Sequence, residues 1–289
     1  MQALIFYLLY PVIYLVASLP FWALYKVADF LFFVVWTFGY RKQVVFTNLR
    51  NSFPEKSEQE ITTIAKSYYH FLADLTLETL KTLRMTKEEY NERSVFKKPL
   101  WLSELEREKK NFVIVMGHFG NWEWGGPSFS LNASYKLVVP YMKLANPYFN
   151  KMIYRMRTRF GSEIVPVDKI MRYMVDTKDE LVATAFIADQ AAWAHTAYWT
   201  QFLNQQTPVF TGPEKIAIKF NYPVVYMSVQ RIKRGYYQVV PELLFTNSKE
   251  TKPTEISEAF TNRLEKDILE NPAIWLWSHK RWKVKQTEI

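Results

Sequence analysis

The sequence predicts an α/β fold: a mostly parallel layered sheet flanked by helices, preceded by a hydrophobic membrane-anchor helix at the N-terminus. Three observations predict it. Residues 1–25 contain no Asp, Glu, Lys or Arg. The five-residue apolar run Phe112 to Met116 ends at Gly117 and reads as a buried strand. Beyond it, short apolar runs alternate with stretches of helical spacing, the pattern of βα units. Composition agrees with a packed core, with 49 % of the 289 residues hydrophobic and 22 % charged. Cysteine is absent, which excludes a disulfide scaffold, a thiol nucleophile and thiolate metal sites. The net charge of +9 favours anionic partners: nucleic acid, acidic lipid heads, phosphorylated substrates or an acidic carrier protein.

As a helix, the charge-free stretch spans roughly 37 Å, enough for a bilayer core. A signal peptide competes with that reading, but Met1-Gln2-Ala3-Leu4 offers no basic n-region. Pro11 and Pro20 would kink or break the helix, so a re-entrant or interfacial anchor is a further alternative. Arg41, Lys42 and Arg50 follow the apolar block and, by the positive-inside rule, put the rest of the chain in the cytoplasm. Residues 1–40 are thus expected to anchor and residues 41–289 to form one α/β domain. Asn48 to Pro54 reads as a loop. Ser57 and Glu60 form a capping box, and the helix behind it keeps its apolar spacing to about Arg84. Further strands are expected at Leu137–Tyr141, Ile164–Val167, Leu181–Ala188, Pro223–Gln230 and Tyr236–Val240. Helices are expected at Asn146–Gly161, Gly212–Phe220 and Thr254–Glu270.

The chemistry concentrates at strand ends, where open α/β sheets bind ligands. His118 follows the first strand, between Gly117 and Gly120, which allow a tight turn and close approach. Glu123 lies five residues on. The two do not share a face of one helix, but they meet if His118 sits in the turn and Glu123 in the first helical turn. Glu123 would then hold one imidazole nitrogen protonated and leave the other as a base. A His followed by an acid at this offset is common by chance, so the strand end and the glycines carry the reading. Asp189-Gln190 ends another strand and reads as a second site candidate or a turn cap. Arg155, Arg157 and Arg159 end the helix that starts at Asn146; near a cleft they would bind phosphate or carboxylate, and helix-dipole compensation is the ordinary reading for two of them. His70 and Asp74, spaced i, i+4, read as a structural hydrogen bond, while His195 and His279 have no acidic partner at short range. Two basic patches, Arg231/Lys233/Arg234 and Lys280/Arg281/Lys283/Lys285, face anionic lipid or solvent. No serine-hydrolase elbow, zincin, P-loop or nucleic-acid motif is present, and no metal or cofactor is expected.

Taken together, the ordered blocks resemble the lysophospholipid acyltransferase superfamily, and within it the lipid A late acyltransferases. The superfamily's His, four residues, then Asp or Glu stands here as His118 to Glu123 (HFGNWE). Arg157 in RTRFG, Asp189-Gln190, the stretch from Phe210 to Val225, and Pro272 to Lys283 are similar to later blocks, and Asn48-Leu49 and Phe53-Pro54-Glu55 to earlier ones. Thr196 to Gln201 and Gln205-Gln206 depart from the glycine-rich look common there. The resemblance implies a membrane-bound O-acyltransferase. It takes its acyl group from a thioester, usually on acyl carrier protein, and passes it to a hydroxyl of a lipid A-type glycolipid precursor. Another lipid acceptor, a lysophospholipid or an aminolipid, is the alternative. The enzyme would work at the cytoplasmic face of the inner membrane. His118 would be the base and Glu123 its orienting partner; backbone N–H groups near Gly120 and Asn121, or an arginine, would meet the oxyanion. Arg155, Arg157, Arg159, Asp189 and Gln190 would complete the substrate site.

Overall fold

The computed structural model describes residues 1–191 and 197–283. The apolar N-terminus forms two helices, α1 (Gln2–Ser18) and α2 (Phe21–Phe38), because the chain turns at Leu19 and Pro20. Pro20 has an extended backbone and serves as the N-cap of α2, whereas Pro11 is accommodated inside α1. Next come α3 (Lys42–Ser52) and α4 (Glu58–Lys81); α4 starts at the expected Ser57/Glu60 capping box. The loop expected from Asn48 is instead helical as far as Ser52, because the Asn48 amide spends its donors on the carbonyls of Trp277 and His279, at 2.9 and 3.0 Å. A polar residue that would favour a turn is thereby fixed in a helix by tertiary contact.

The remaining chain gives α5 (Lys87–Arg93), β1 (Ser94–Phe96), α6 (Leu100–Arg107), β2 (Phe112–Met116), α7 (Trp122–Asn132), β3 (Lys136–Tyr141), α8 (Pro147–Thr158), β4 (Glu163–Pro166), α9 (Ile170–Asp176) and β5 (Val182–Ile187). A separate hairpin, β6 (Tyr198–Phe202) and β7 (Gln205–Val209), precedes α10 (Gly212–Phe220), β8 (Val224–Lys233), β9 (Tyr236–Phe245) and α11 (Glu255–Glu270). Seven strands form one sheet in the order β1-β9-β8-β2-β5-β3-β4. All its pairs are parallel except β8 with β9. The expected mostly parallel sheet is therefore present, with every expected strand in it. The short β1, the hairpin β6–β7 and the small helices α6 and α9 carry no pattern that the sequence analysis registered. His195 and Thr196 lie outside the described residues, as does Lys285.

The helices at residues 1–40 pack on α4 and α8. Leu24 and Ala28 of α2 are fully buried and pack against Leu77 of α4. Phe6 of α1 stacks on Tyr148 and meets Phe149 of α8 edge-on. The Lys81 ammonium donates to the Leu19 carbonyl at the corner between α1 and α2. The outward sides of both helices expose Leu4, Leu8, Leu15, Trp22, Phe30, Phe33 and Phe38.

β2 is buried along its whole length between β8 and β5, so the loop that follows it emerges from the centre of the sheet. That loop is held on both sides. The Gly120 N–H donates to the Ile274 carbonyl at 3.0 Å, and the Leu276 N–H donates to the His118 carbonyl at 3.2 Å. Gly120 has φ +61°, and a Cβ there would lie 1.7 Å from the carbonyl oxygen of Val229 on β8. Both the left-handed backbone and the close approach require glycine. Gly120→Ala is expected to cost at least ~2 kcal/mol of stability. Urea unfolding should show a lower midpoint with an unchanged slope; a wild-type midpoint would contradict the close approach.

Candidate active site

Parallel pairing of β2 with β5 sets Met116 opposite Ile187, and the Ala188 N–H extends the ladder to the Met116 carbonyl. The residues just past these two strand ends therefore meet. Asp189 accepts from the His118 backbone N–H at 2.8 Å, from His118 Nδ1 at 2.6 Å and from Trp275 Nε1 at 2.8 Å. Burial works against ionising this carboxyl, but the charge and hydrogen bonds of His118, with the Trp275 bond, outweigh it and hold Asp189 below the usual carboxylate range. A carboxylate at Nδ1 fixes the proton there and leaves Nε2 with its lone pair outward. The Gln190 side-chain amide lies 3.3 Å from Nε2, where a substrate hydroxyl would have to come.

This arrangement corrects the expected pairing of His118 with Glu123. Glu123 rides on the first turn of α7, and its carboxylate grips Arg157 of α8 through two bonds, from Nε at 3.1 Å and from Nη2 at 2.5 Å. Burial disfavours the guanidinium charge, but Glu123 more than compensates and raises the Arg157 pKa. His118 and Glu123 are connected through Trp122, whose ring edge packs on the imidazole at 4.9 Å between centroids. They also face a common pocket of about 360 Å³, whose polar mouth is made by His118, Glu123, Arg157 and Gln190.

From that mouth an apolar slot runs inward under α7. Gly126 and Pro127 form its roof, and Leu137, Val139, Ala185 and Ile187 belong to the sheet beneath. Leu137 lies four residues before the end of β3, so the slot follows the strands for roughly 13 Å at ~3.3 Å per residue. A pocket with this mostly apolar lining suits a hydrocarbon chain.

The other expected binding residues divide. Arg157 and Gln190 line the pocket and Asp189 stands behind His118. Arg159 turns away to the carbonyls of Thr82 and Leu83 at the end of α4, and Arg155 is exposed and does not line the pocket. Asn121 is fully buried: its Nδ2 donates to Glu78 and its Oδ1 accepts from Trp124 N, so it offers nothing to a substrate. Gly120 has already committed its N–H to Ile274. Arg231 and Arg234 are not a free basic patch, because both bind the buried Asp74, and Arg234 also binds Asp29. His70 sits in that same network, 3.2 Å from Asp29 and 3.6 Å from Asp74. His279, whose pKa burial pushes down, accepts from the Ala191 N–H beside the site. Among the described residues no three His, Asp or Glu side chains are grouped to hold a metal ion. Trp275 is a site residue that sequence reasoning missed; within PAIWLWSHKRWK nothing local separates it from its tryptophan neighbours.

A family model for bacterial lipid A biosynthesis acyltransferases matches residues 1–284. No curated protein matches the chain.

The two carboxylates should differ sharply in what they hold. Asp189→Asn replaces one of the two acceptor oxygens with an NH₂ that faces at least one N–H donor inside the protein. We expect it to cost ~2–3 kcal/mol in chemical denaturation. Glu123→Gln keeps an acceptor for a partly exposed arginine and should cost less than about 1 kcal/mol. The reverse order would mean that Asp189 is not the central acceptor.

Proposed function

The chain belongs to the bacterial lipid A biosynthesis acyltransferase family and is an acyltransferase; we propose that it moves a fatty acyl group from an acyl carrier protein thioester to a hydroxyl of a lipid A-type glycolipid precursor, with His118 as base and Asp189 as its partner. The observation that carries this reading is the His118–Asp189 pair opening onto an apolar slot. The acyl chain lies in the slot, and the thioester carbonyl stands at the polar mouth. The acceptor hydroxyl displaces Gln190 and donates to His118 Nε2. As the hydroxyl oxygen attacks the carbonyl carbon, its proton passes to Nε2, and Asp189 stabilises the resulting imidazolium. The tetrahedral oxyanion is met by Arg157. Gly120 N–H is already engaged, so the guanidinium is the stronger donor at the mouth. Collapse breaks the C–S bond, and the thiolate takes the proton back from Nε2. Glu123 serves this step by holding Arg157 in place rather than by orienting the imidazole.

The N-terminal helices suit a lipid surface. α2 is long and apolar enough by composition to cross a membrane. One side of it, however, is docked along α4 from Leu24 to Trp36, whose ring packs on Tyr69. Crossing would require undocking that side. The reading that keeps every contact is an in-plane anchor, with the exposed ridge of α1 and α2 sunk in the cytoplasmic leaflet of the inner membrane. The acceptor would then be within reach of the pocket, and the +9 charge would favour an acidic carrier protein and an anionic surface.

His118→Ala should lower transfer by ~10²–10⁴ and Arg157→Lys by about 10². Mass spectrometry of lipids from a deletion strain carrying each variant reads the product. Retention of more than about a tenth of turnover by His118→Ala would rule it out as the base. For the anchor, Trp22→Ser, Phe30→Ser and Phe33→Ser should each weaken binding to phosphatidylethanolamine–phosphatidylglycerol vesicles by on the order of tenfold. Cosedimentation measures this, and undiminished binding of the triple variant would refute the in-plane anchor.

A further inference from the structure

Among the described residues, the one carboxylate that hydrogen-bonds both to α2 and to the turn after His118 is Glu78 of α4, and it is fully buried. Its Oε1 accepts from the Tyr25 hydroxyl of α2 at 2.8 Å. Its Oε2 accepts from the Tyr237 hydroxyl of β9 at 2.7 Å and from Asn121 Nδ2 at 2.8 Å. Its backbone carbonyl accepts from Trp124 Nε1 of α7 at 3.1 Å. Asn121 is the N-cap of α7, and its Oδ1 accepts from Trp124 N. The next two residues are Trp122, which packs on His118, and Glu123, which holds Arg157. Tyr25 is equally confined: a Cβ at Gly235 would lie 1.9 Å from its hydroxyl oxygen. Phe21 of α2 meets the Trp124 ring edge-on at 6.2 Å, so α2 and α7 also touch directly.

We propose that Glu78 is a positioning residue: through Asn121 it fixes the turn that separates His118 from Glu123, and through Tyr25 it makes that turn depend on the seating of α2. A buried carboxylate needs its donors, and here the three donors come from three different elements. Loss of any one leaves the other two to re-form around it, which shifts the Asn121 cap and with it the first turn of α7. Burial, together with the nearby Asp74 charge, raises the Glu78 pKa, and the bonds from Tyr237 and Tyr25 only partly oppose that rise. For its effect on turnover the inference rests on the proposed acyl transfer; its effect on the turn does not.

The test uses the full chain bound to phosphatidylethanolamine–phosphatidylglycerol vesicles, as wild type, Tyr25→Phe, Glu78→Gln and Glu78→Ala. The first readout is amide hydrogen exchange of residues 118–126, which needs no reaction. Tyr25→Phe removes one hydroxyl and should speed exchange there by ~5–10-fold, the worth of one hydrogen bond. The second readout is transfer from an acyl thioester: kcat should fall by a similar factor, with KM for the donor within about twofold. Glu78→Gln keeps volume and an acceptor, so it should recover part of what Glu78→Ala loses. If Glu78→Ala does not fold, Tyr25→Phe still decides. Unchanged exchange in Tyr25→Phe overturns the inference, as does faster exchange with unchanged kcat. A wild-type chain that transfers no acyl group, with exchange still responding to Tyr25→Phe, refutes the proposed reaction and supports the positioning.

Discussion

Asp189 accepts hydrogen bonds from the His118 imidazole, the His118 backbone amide and the Trp275 indole, so one carboxylate gathers donors from two distant parts of the chain. His118 arrives from the central strand, Asp189 from the strand beside it, and Trp275 from the segment after α11. Removing water from a carboxylate is costly, and the cost is offset only when its lone pairs are filled. The sheet supplies the alignment, since two adjacent parallel strands ending in register deliver their next residues side by side. The segment 274–276 supplies the third donor and also pairs with the loop through His118 and Gly120. The exposed Nε2 of His118 is the product of all these constraints. Its ring cannot turn without breaking the Asp189 bond, and its backbone cannot move without breaking the Leu276 and Ile274 bonds.

Much of this was legible in the sequence. Phe112–Met116 read as a buried strand because a continuous apolar run bounded by glycine suits a strand covered on both faces. His118 and Asp189 were both found at strand ends. Their pairing was not, because the order of strands in a sheet is not written in any local pattern. Glu123 reads as the partner because it is close in sequence, but the helix that begins at Trp122 carries it toward Arg157 instead. The arginines at 231 and 234 read as a surface patch because their acceptors, Asp74 and Asp29, lie more than 150 residues away in sequence. Asn48 shows the same limit on the scale of one helix: its side chain is satisfied by Trp277 and His279, so a segment rich in turn residues stays helical.

The N-terminal pair of helices illustrates how a strongly apolar segment can be docked on the rest of the fold. Its apolar character was evident from the absence of charge, but its inward side is polar in places. Tyr25 and Asp29 bond to Glu78 and Arg234, and Lys81 closes the corner at Leu19. These contacts give α2 a fixed register along α4. They also give the helix two sides, with Leu24 and Ala28 buried on one and Trp22, Phe30 and Phe33 exposed on the other.

The clasp between the two ends of the chain has a consequence for how the enzyme is made. Asn48 holds the carbonyl of Trp277 across 229 residues, the Tyr68 hydroxyl accepts from the Ser278 N–H, and Trp275 completes the surroundings of Asp189. Synthesis at ~5–20 residues per second separates Asn48 from Trp277, and Tyr68 from Ser278, by roughly ten to fifty seconds. During that interval the apolar helices have already emerged, while the strands have no completed site to shelter. Assembly of the His118 surroundings therefore cannot be completed before residues near 280 leave the ribosome, and a nascent chain stays catalytically silent until Trp275 and Trp277 arrive.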